Sequence, residues 1–503
     1  MKRFHLIAVF LTILMLVISQ LSLAQEAAKE EAEKKEKKVL KVGKIQVTAP
    51  REEEGVVVAP SMTTINVEEY KIPGTPTNIV DIIKDRAIID FRGQSDLVPG
   101  RDDIYMRGLD AHRFTTSMDG LTIDYGRSAA HGTRAMVVDF ATLPPGQIES
   151  IEIMPGPHSA LYGGKSIGGV INLKTKTPER YKSLKPDFRA ATSYRSYNTQ
   201  NHSINVDGGA GSFVYGLSYQ YYHTNGYLRS NRAEIDNYFA RLGYILPSDG
   251  YISLDVTYTD QDKEATVKNA PGCVDYNNNY PETTTARRWP WQEPETHTEE
   301  YTYRLNYRQP TPIGLWTLGA YYGNQDWDRS YFREKDTGKS PEVKPDEIEL
   351  YSSTTTHRQA GGRIQDEIEL FEDNTLTLGF DMIQMWQPSR YRKDYDYRTS
   401  KHKIADTKAG YLQDRWMIIP RLTLTAGLRY EDVSYWRSNF KYKEGPGTSS
   451  ITGYGNWIRR NRNQWMPKSF LTYELDDLSD VLRDTSLSLG VSKIWNPLPF
   501  CYG

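Results

Sequence analysis

From about residue 187 onward, apolar and polar positions alternate in runs of eight or more residues. A period of two is typical of β-strands whose two faces meet different surroundings. We count about 13 such runs between residues 187 and 494. The clearest of them are 212–222, 251–259, 376–383 and 422–430.

The connections between these runs differ in length in an ordered way. Short turns such as 247–250 and 419–421 alternate with long connections that are polar and aromatic. Outer-membrane β-barrels have short periplasmic turns, long external loops, alternating faces and aromatic girdles. The pattern therefore predicts a transmembrane antiparallel β-barrel over residues 187–503. A soluble β-sandwich or an adhesin would explain the alternation but not the turn asymmetry. The predicted long connections are 261–298, 328–352, 387–404 and 437–462.

The region before the barrel has a mixed α/β character and extends over residues 60–177. A helical period covers 78–84, and Asp119-Gly120 is a two-residue hairpin signal. A glycine-rich stretch at 162–172 indicates tight turns and close backbone approach. Short strands are predicted at 104–107, 114–118 and 148–154.

The N-terminus has the features of a secretory signal. Lys2 and Arg3 precede an apolar run at 6–18, and Ser22-Leu23-Ala24 supplies small residues for cleavage after position 24. A retained anchor is the alternative. Residues 25–44 are rich in Glu and Lys and are predicted to be a flexible linker. The β-prone segment 45–49 then suits either strand addition to a partner or an ordinary first strand.

Composition narrows the class of protein. The 62 Lys and Arg balance 64 Asp and Glu, which argues against a nucleic-acid partner. With 38% hydrophobic residues, the chain is also unlike a helical membrane protein, whereas 35 tyrosines are many for so polar a chain. Two cysteines, Cys273 and Cys501, exclude a disulfide-dense scaffold. Whether the two pair stays open.

The sequence offers little for catalysis. Gly164-Lys165-Ser166 resembles the end of a phosphate-binding loop, but Ser159 occupies the position of the required glycine. The same stretch fits a hydrolase elbow without its strand and helix. The nine histidines are scattered. We therefore predict no enzyme, no cofactor and no metal site. Residues 276–280 and 287–291 are predicted to stack on a ligand or to pack among themselves.

Several of these segments together resemble the TonB-dependent outer-membrane receptors. Residues 104–108, IYMRG, resemble the family's arginine-glycine strand, and 118–121, MDGL, its Asp-Gly turn. Residues 148–163, IESIEIMPGPHSALYG, resemble its longest signature, which 167–172, IGGVIN, continue. Residues 45–49, IQVTA, are similar to a TonB box. The likeness covers nearly the whole mature chain and is strongest over 45–177.

This resemblance implies a plug domain inside a 22-stranded barrel, of which about 13 strands are visible, so that the barrel is expected to be incomplete. It implies import of a scarce ligand, with a ferric siderophore first, across the outer membrane of a Gram-negative bacterium. Cobalamin, haem or another metal chelate is the alternative, as is a passive or non-functional truncated barrel. The partner would be the periplasmic TonB complex.

The resemblance also suggests roles for individual residues. Loops 93–101 and 124–134 would form the ligand-facing apex of the plug, where arginine and aromatic side chains suit an anionic chelate. Pairing with lumen carboxylates is the alternative role for these residues. Arg107, Glu149 and Glu152 would be structural or gating residues, because a polar plug in a polar lumen needs charge pairing. TonB would bind Ile45, Gln46, Val47, Thr48 and Ala49, and the ligand would contact Arg113, Tyr125, Arg127, His131 and Arg134.

Overall fold

The computed structural model describes most of the chain between residues 62 and 495. The described residues are 62–67, 79–92 without 85 and 87, 103–123 without 111–112, 140–177 without 141–142, 144, 158 and 164–165, 180–181, 186–264, 266–283 without 268 and 272–275, 295–334, 348–392, 403–445, 448–475 and 485–495.

The N-terminal part is a small α/β domain, called the plug below. One five-stranded sheet has the order β1-β7-β8-β5-β6, and a three-stranded sheet has the order β2-β3-β4. All neighbouring strands are antiparallel except β5 and β8, which are parallel. The elements are β1 (Thr63–Asn66), α1 (Ile79–Ile83), β2 (Ile89–Arg92), β3 (Asp103–Met106), β4 (Leu109–Asp110), β5 (Phe114–Met118), β6 (Leu121–Thr122), a short 3-10 helix (Pro145–Gln147), β7 (Ile148–Pro155) and β8 (Gly169–Thr175).

The plug has its own apolar core. Helix α1 contributes Ile79, Val80, Ile82 and Ile83, all buried, as the helical period predicts. These side chains pack with buried aliphatic residues from the sheet, among them Ile151 and Ile171. Burying one such side chain stabilises a fold by roughly 1.5–3 kcal/mol. The plug is therefore stabilised by an apolar core of its own, in addition to its contacts with the barrel wall.

The predicted Asp-Gly hairpin is confirmed. Asp119 and Gly120 have φ values of 50° and 78°, and they join Met118 to Leu121, which are paired in register. Positive φ at both central positions is the type I′ geometry that matches the twist of the strands. The Asp119 carboxylate also accepts hydrogen bonds from the backbone N–H and the hydroxyl of Thr175, at 2.9 and 3.0 Å.

The C-terminal part is one antiparallel sheet of 13 strands in sequential order, as the alternation predicts. Within the described residues, the two outermost strands are β9 and β21, and no pairing joins them. The strands are β9 (Asp187–Arg195), β10 (Thr199–Ala210), β11 (Phe213–Thr224), β12 (Ala233–Ile245), β13 (Tyr251–Glu264), β14 (Glu295–Thr311), β15 (Gly314–Glu334), β16 (Ile348–Phe371), β17 (Asn374–Arg392), β18 (Lys403–Ile419), β19 (Leu422–Gly445), β20 (Thr448–Glu474) and β21 (Ser486–Ser492).

The two faces of this barrel wall differ as predicted. Along β13, Ile252 and Leu254 are exposed, whereas Ser253 and Asp255 between and after them are buried. Cross-strand tyrosines form a row on the outward face, with neighbouring ring centroids 4.9 and 6.0 Å apart at one end of it. A row of this kind is an aromatic girdle at a membrane interface. Its members are Tyr219, Tyr238, Tyr258 and Tyr301.

Three of the four predicted long connections, 261–298, 328–352 and 387–404, are shorter than predicted because the flanking strands extend into them, and the fourth is wrong. Residues 437–462 were expected to form a long connection, but β19 and β20 pair through this region up to Gly445 and Thr448. The segment is rich in Ser, Thr and Tyr, which are compatible with strands. A strand that extends beyond the membrane needs no apolar face. A polar sequence there is therefore compatible with a strand as well as with a loop.

The described part of the chain holds no helix with the length and hydropathy of a membrane span.

Candidate functional site

The plug is held to the inner face of the barrel wall by its segment 159–163, called the latch segment below. Gln413 of β18 accepts hydrogen bonds through Oε1 from the backbone N–H of Ala160 and the hydroxyl of Ser159, at 3.0 and 3.2 Å. Lys468 of β20 donates to the carbonyl oxygen of Ser159. Arg363 of β16 donates through Nη2 to the carbonyl oxygen of Leu161, at 2.6 Å. Three barrel strands thus grip one short stretch of plug backbone.

The arginine that grips Leu161 belongs to a buried charge cluster of the barrel wall. Asp381 accepts two hydrogen bonds from Arg429, at 2.9 and 3.0 Å, and lies 3.5 Å from Arg363. Glu431 lies 3.1 Å from the same guanidinium of Arg429. All four side chains are at most 9% exposed. Because unpaired buried charges are costly, each of the four depends on the others.

A second polar contact lies at the C-terminal end of the plug sheet. Arg241 of β12 forms a bidentate pair with Asp255 of β13, with both distances 2.7 Å and both side chains buried. The same guanidinium donates to the hydroxyl of Thr175, at 2.9 Å, and to the carbonyl oxygen of Lys176. Lys176 in turn pairs with Asp207 of β10, at 2.6 Å. The C-terminal end of the plug sheet is therefore fixed to two further barrel strands, β12 and β10, and Asp255 of β13 holds the arginine in place.

A third contact fixes the Asp-Gly hairpin. The hydroxyl of Tyr321 in β15 donates to the carbonyl oxygen of Thr122, at 2.7 Å. Leu121 packs so closely on Gly319 that a Cβ at Gly319 would lie 2.6 Å from Cδ1 of Leu121. A side chain at position 319 would thus force the Leu121 side chain to shift, so this glycine allows the plug to approach the wall closely.

Inside the plug, a buried polar chain links the signature residues. Asn172 donates to Glu152 at 2.7 Å and accepts from the hydroxyl of Ser117 at 2.8 Å. The Tyr162 phenol lies near Glu152. Burial, and then the charge of Glu152, raise the pKa of this phenol well above its ordinary value, so it stays neutral.

The structure describes four of the predicted site residues. Glu152 is 8% exposed, and its described partner is an amide and not the expected opposite charge. Glu149 is exposed and accepts a bond of 3.3 Å from the Thr177 backbone N–H. Arg107 is exposed, with a φ of 52°. Arg113 is exposed and directly precedes β5, and its carbonyl oxygen accepts from the backbone N–H of Gly168. These contacts leave their proposed roles untested.

The other predicted site residues lie outside the described residues. They are Ile45, Gln46, Val47, Thr48 and Ala49 of the TonB-box-like segment, and Tyr125, Arg127, His131 and Arg134 of the plug apex. Cys273 and Cys501 lie outside them as well.

Sequence reasoning missed the barrel side of this interface. A signal was present in strand β19, where Leu428 and Tyr430 alternate with Arg429 and Glu431. In an alternating barrel strand, charges between apolar residues point into the lumen. What the alternation could not show is which plug residues these charges meet, because Arg429 and Leu161 are 268 positions apart.

This arrangement is suited to holding and releasing a plug. The described polar contacts between the latch segment and the wall are hydrogen bonds, several of them to main-chain carbonyls. Such bonds each contribute modestly, about 0.5–1.5 kcal/mol for neutral pairs and up to about 3 kcal/mol for charged ones. The hydrogen bonds of the latch segment can thus break one after another. The ion pairs of Arg363 and Arg429 with Asp381 and Glu431 lie within the wall and stay intact when they do.

Comparison with known proteins agrees with this architecture. A family model described as the TonB-dependent receptor plug domain matches residues 57–170, and one described as the TonB-dependent receptor-like β-barrel matches residues 236–500, just over half of the chain. The chain is 24% identical over 357 residues to an iron-regulated outer membrane virulence protein of Vibrio cholerae serotype O1, covering 67% of this chain and 47% of that protein.

Two further relatives extend the comparison. The chain is 23% identical over 433 residues to a ferric enterobactin receptor of Pseudomonas aeruginosa, covering 78% of this chain and 57% of that protein. Among solved structures, the copper transporter OprC superposes with a TM-score of 0.66 at 17% identity, covering 87% of this chain and 65% of that chain. At that identity the likeness concerns the fold alone. The chain spans about half the length of the curated relatives it matches.

Proposed function

The chain belongs to the TonB-dependent receptor family, and from that premise we propose that it imports a ferric siderophore across the outer membrane, driven by TonB. The family and the fold are those of receptors and transporters. The protein is an outer-membrane protein.

One observation supports import over passive passage. The plug lies against the inner face of the barrel wall at three separate places: the latch segment, the Thr175–Lys176 end and the Asp-Gly hairpin. Passage along this part of the wall requires that some of these contacts open. Opening them costs free energy, which an energised partner supplies and diffusion does not.

The partner in this proposal is TonB, and its contact is the segment from Ile45 to Ala49. An exposed β-prone segment can add to the sheet edge of a partner, with main-chain hydrogen bonds supplying the affinity. Ligand binding at the plug apex would favour the state in which this segment is released. A ligand can shift that equilibrium only by as much as its affinities for the two states differ.

The ligand class rests on the relatives and on the predicted basic apex. One relative is described as an iron-regulated outer membrane virulence protein, and another is described as a ferric enterobactin receptor. Arg113, Arg127 and Arg134 would suit an anionic iron chelate, because guanidinium groups bind planar oxyanions in a bidentate manner. Cobalamin, haem and other metal chelates are the competing ligands.

Uptake in whole cells tests the proposal. This protein would be expressed in cells that lack their own iron receptors. Uptake would then be measured with radioactive iron bound to each of several siderophores, and separately with labelled cobalamin and labelled haem as the alternative ligands. We expect uptake of at least one ferric siderophore, and its loss when an uncoupler removes the proton-motive force. Uptake that continues at the same rate without the proton-motive force would contradict the proposal.

A substitution at Val47 separates coupling from binding. Proline lacks the backbone N–H that strand addition uses, so Val47→Pro should abolish energised uptake and leave ligand binding to the cells unchanged. Val47→Ile, which keeps the N–H and the β-branched side chain, is the matched control and should retain uptake. Loss of ligand binding in Val47→Pro would contradict the assignment of this segment to TonB.

A further inference from the structure

Two aspartates and a histidine meet on the outward face of the barrel wall. Nδ1 of His297, in β14, lies 2.8 Å from Oδ1 of Asp262 and 3.6 Å from Oδ1 of Asp260, both in β13. One ligand atom from each residue lies within 4.8 Å of the other two. Asp260 is 5% exposed, whereas Asp262 and His297 are 39% and 36% exposed. The cluster is therefore anchored at one side and open to solvent at the other.

The outward direction follows from the strand register. Positions 260 and 262 share their face with the exposed Ile252 and Leu254, and the pairing of β13 is continuous between them. Position 297 shares its face with the exposed Tyr303 and Leu305. The tyrosine row is adjacent, because Tyr258 and Tyr301 are paired two to four positions away. The cluster thus lies just beyond the aromatic girdle.

The surrounding register concentrates negative charge. Asp260 is directly opposite Asp236 on one side and Glu299 on the other. Like charges placed opposite each other on one face of a sheet are destabilising. Carboxylates gathered in this way next to an imidazole favour a cation.

The donor set indicates which cation. Imidazole nitrogen suits zinc, copper, iron and nickel, and carboxylate oxygen completes such sites. Zinc binds nitrogen and oxygen ligands at about 2.0–2.2 Å, so two ligand atoms on one ion lie at most about 4.4 Å apart. The distances of 2.8 and 3.6 Å to His297 are within that limit. Magnesium prefers oxygen ligands and near-ideal octahedral geometry, which this set supplies less well.

We propose that Asp260, Asp262 and His297 bind a divalent transition-metal ion of the zinc type. The site lies where β13 ends at Glu264 and β14 begins at Glu295, so the bound ion ties together the two ends of the connection 265–294. Three protein ligands leave positions on the ion for water or for an anionic group of the outer leaflet. The site is separate from the plug interface and does not depend on the proposed import.

Metal titration of the full-length protein tests the site. The protein would be purified in detergent without a histidine tag, stripped with EDTA, and titrated with Zn²⁺ by calorimetry and with Co²⁺ by visible absorption. We expect one ion per chain at this site. Affinity should fall at least tenfold in His297→Gln and in Asp262→Asn, and Mg²⁺ should compete poorly.

His223→Gln is the matched control. His223 is also in an outward position of the wall and lies 3.7 Å from the carboxylate of Glu234, but that pair is outside the cluster of three. Its substitution should leave the zinc affinity unchanged within twofold. The heat shift of the folded barrel on a gel would confirm that each variant folds.

A measurement on the unaltered protein guards against variants that fail to fold. Diethylpyrocarbonate modifies free imidazole, and mass spectrometry of the peptide around His297 would report the extent. We expect Zn²⁺ to protect His297 and not His223. Equal modification of His297 with and without Zn²⁺, or unchanged affinity in a folded His297→Gln variant, would overturn the proposal and leave a histidine–aspartate ion pair only.

Discussion

The carbonyl oxygen of Leu161 in the plug accepts a hydrogen bond of 2.6 Å from Nη2 of Arg363 in the barrel wall. The two residues are 202 positions apart. The plug side of this bond is main chain, which any residue at position 161 would offer. The barrel side is a guanidinium that is also held by Asp381. The specificity of the latch thus lies in the wall, and its strength depends on the buried charge cluster.

Asp381→Asn should weaken the latch. The substitution keeps the shape of the side chain but leaves Arg363 and Arg429 with only Glu431 among the four charges of the cluster. Removing one partner from a buried ion pair costs about 3–5 kcal/mol. We expect a lower thermal unfolding midpoint and faster protease cleavage of the plug in the detergent-purified protein.

Asp249→Asn is the matched control for that substitution. Asp249 is 87% exposed and lies 3.8 Å from Arg180, and an exposed pair of this kind contributes roughly 0–1 kcal/mol. Its unfolding midpoint should stay close to that of the unaltered protein. Equal behaviour of the two variants would show that the buried cluster does not hold the plug.

Gly169→Ala should disrupt the junction of β7 and β8. Gly169 has a φ of 138°, and a Cβ there would clash with the carbonyl oxygen of Met154. Strained backbone of this kind costs of order 1–3 kcal/mol, and the clash adds to it. Gly410→Ala is the comparison, because a Cβ at Gly410 meets nothing within 4 Å. Thermal unfolding of both variants checks this, and a Gly169→Ala protein as stable as Gly410→Ala would contradict it.

Replacing Arg127 and Arg134 together with glutamine should weaken an anionic ligand. Hydrogen bonds to charged groups contribute about 1.5–3 kcal/mol each, so the loss of both should reduce affinity at least tenfold. A neutral ligand should be spared. Equilibrium binding to the purified protein measures both, with Arg189→Gln in β9 as the control. Unchanged affinity for the anionic ligand would mean that these arginines serve another role, such as pairing with lumen carboxylates.

The sequence predicted local structure well and long-range contacts poorly. Alternation in 251–259 determines which residues of β13 face outward, and Asp119-Gly120 specifies its own turn, because both depend on neighbours in the chain. The contact at the latch segment depends on Arg363 and Arg429, which Asp381 holds in place. Whether these arginines lie near Leu161 is determined by how the plug is placed inside the barrel wall, and no local sequence pattern reports that. The prediction of a loop at 437–462 was wrong because strands that extend beyond the membrane are polar on both faces. Such strands lack the alternation of apolar and polar residues by which the others were found.

The proposed import requires the plug to move relative to the barrel wall. A reversible disulfide between plug and wall, called the lock below, tests this most directly. A Cβ at Gly319 would lie 3.3 Å from Cγ of Leu121, the atom whose place the sulfur of a cysteine at position 121 would take, so cysteines at both positions can be joined by an S–S bond of about 2.05 Å. The double variant would carry serine in place of Cys273 and Cys501, and the Leu121→Cys variant, which keeps Gly319, would be its control.

Radioiron uptake would be measured before and after reduction of this lock. We expect the oxidised protein to bind ligand but to import none, and the reduced protein to recover import to the level of the Leu121→Cys variant. Full import with the disulfide quantitatively formed would show that this part of the plug does not move away from the wall, and would contradict the account.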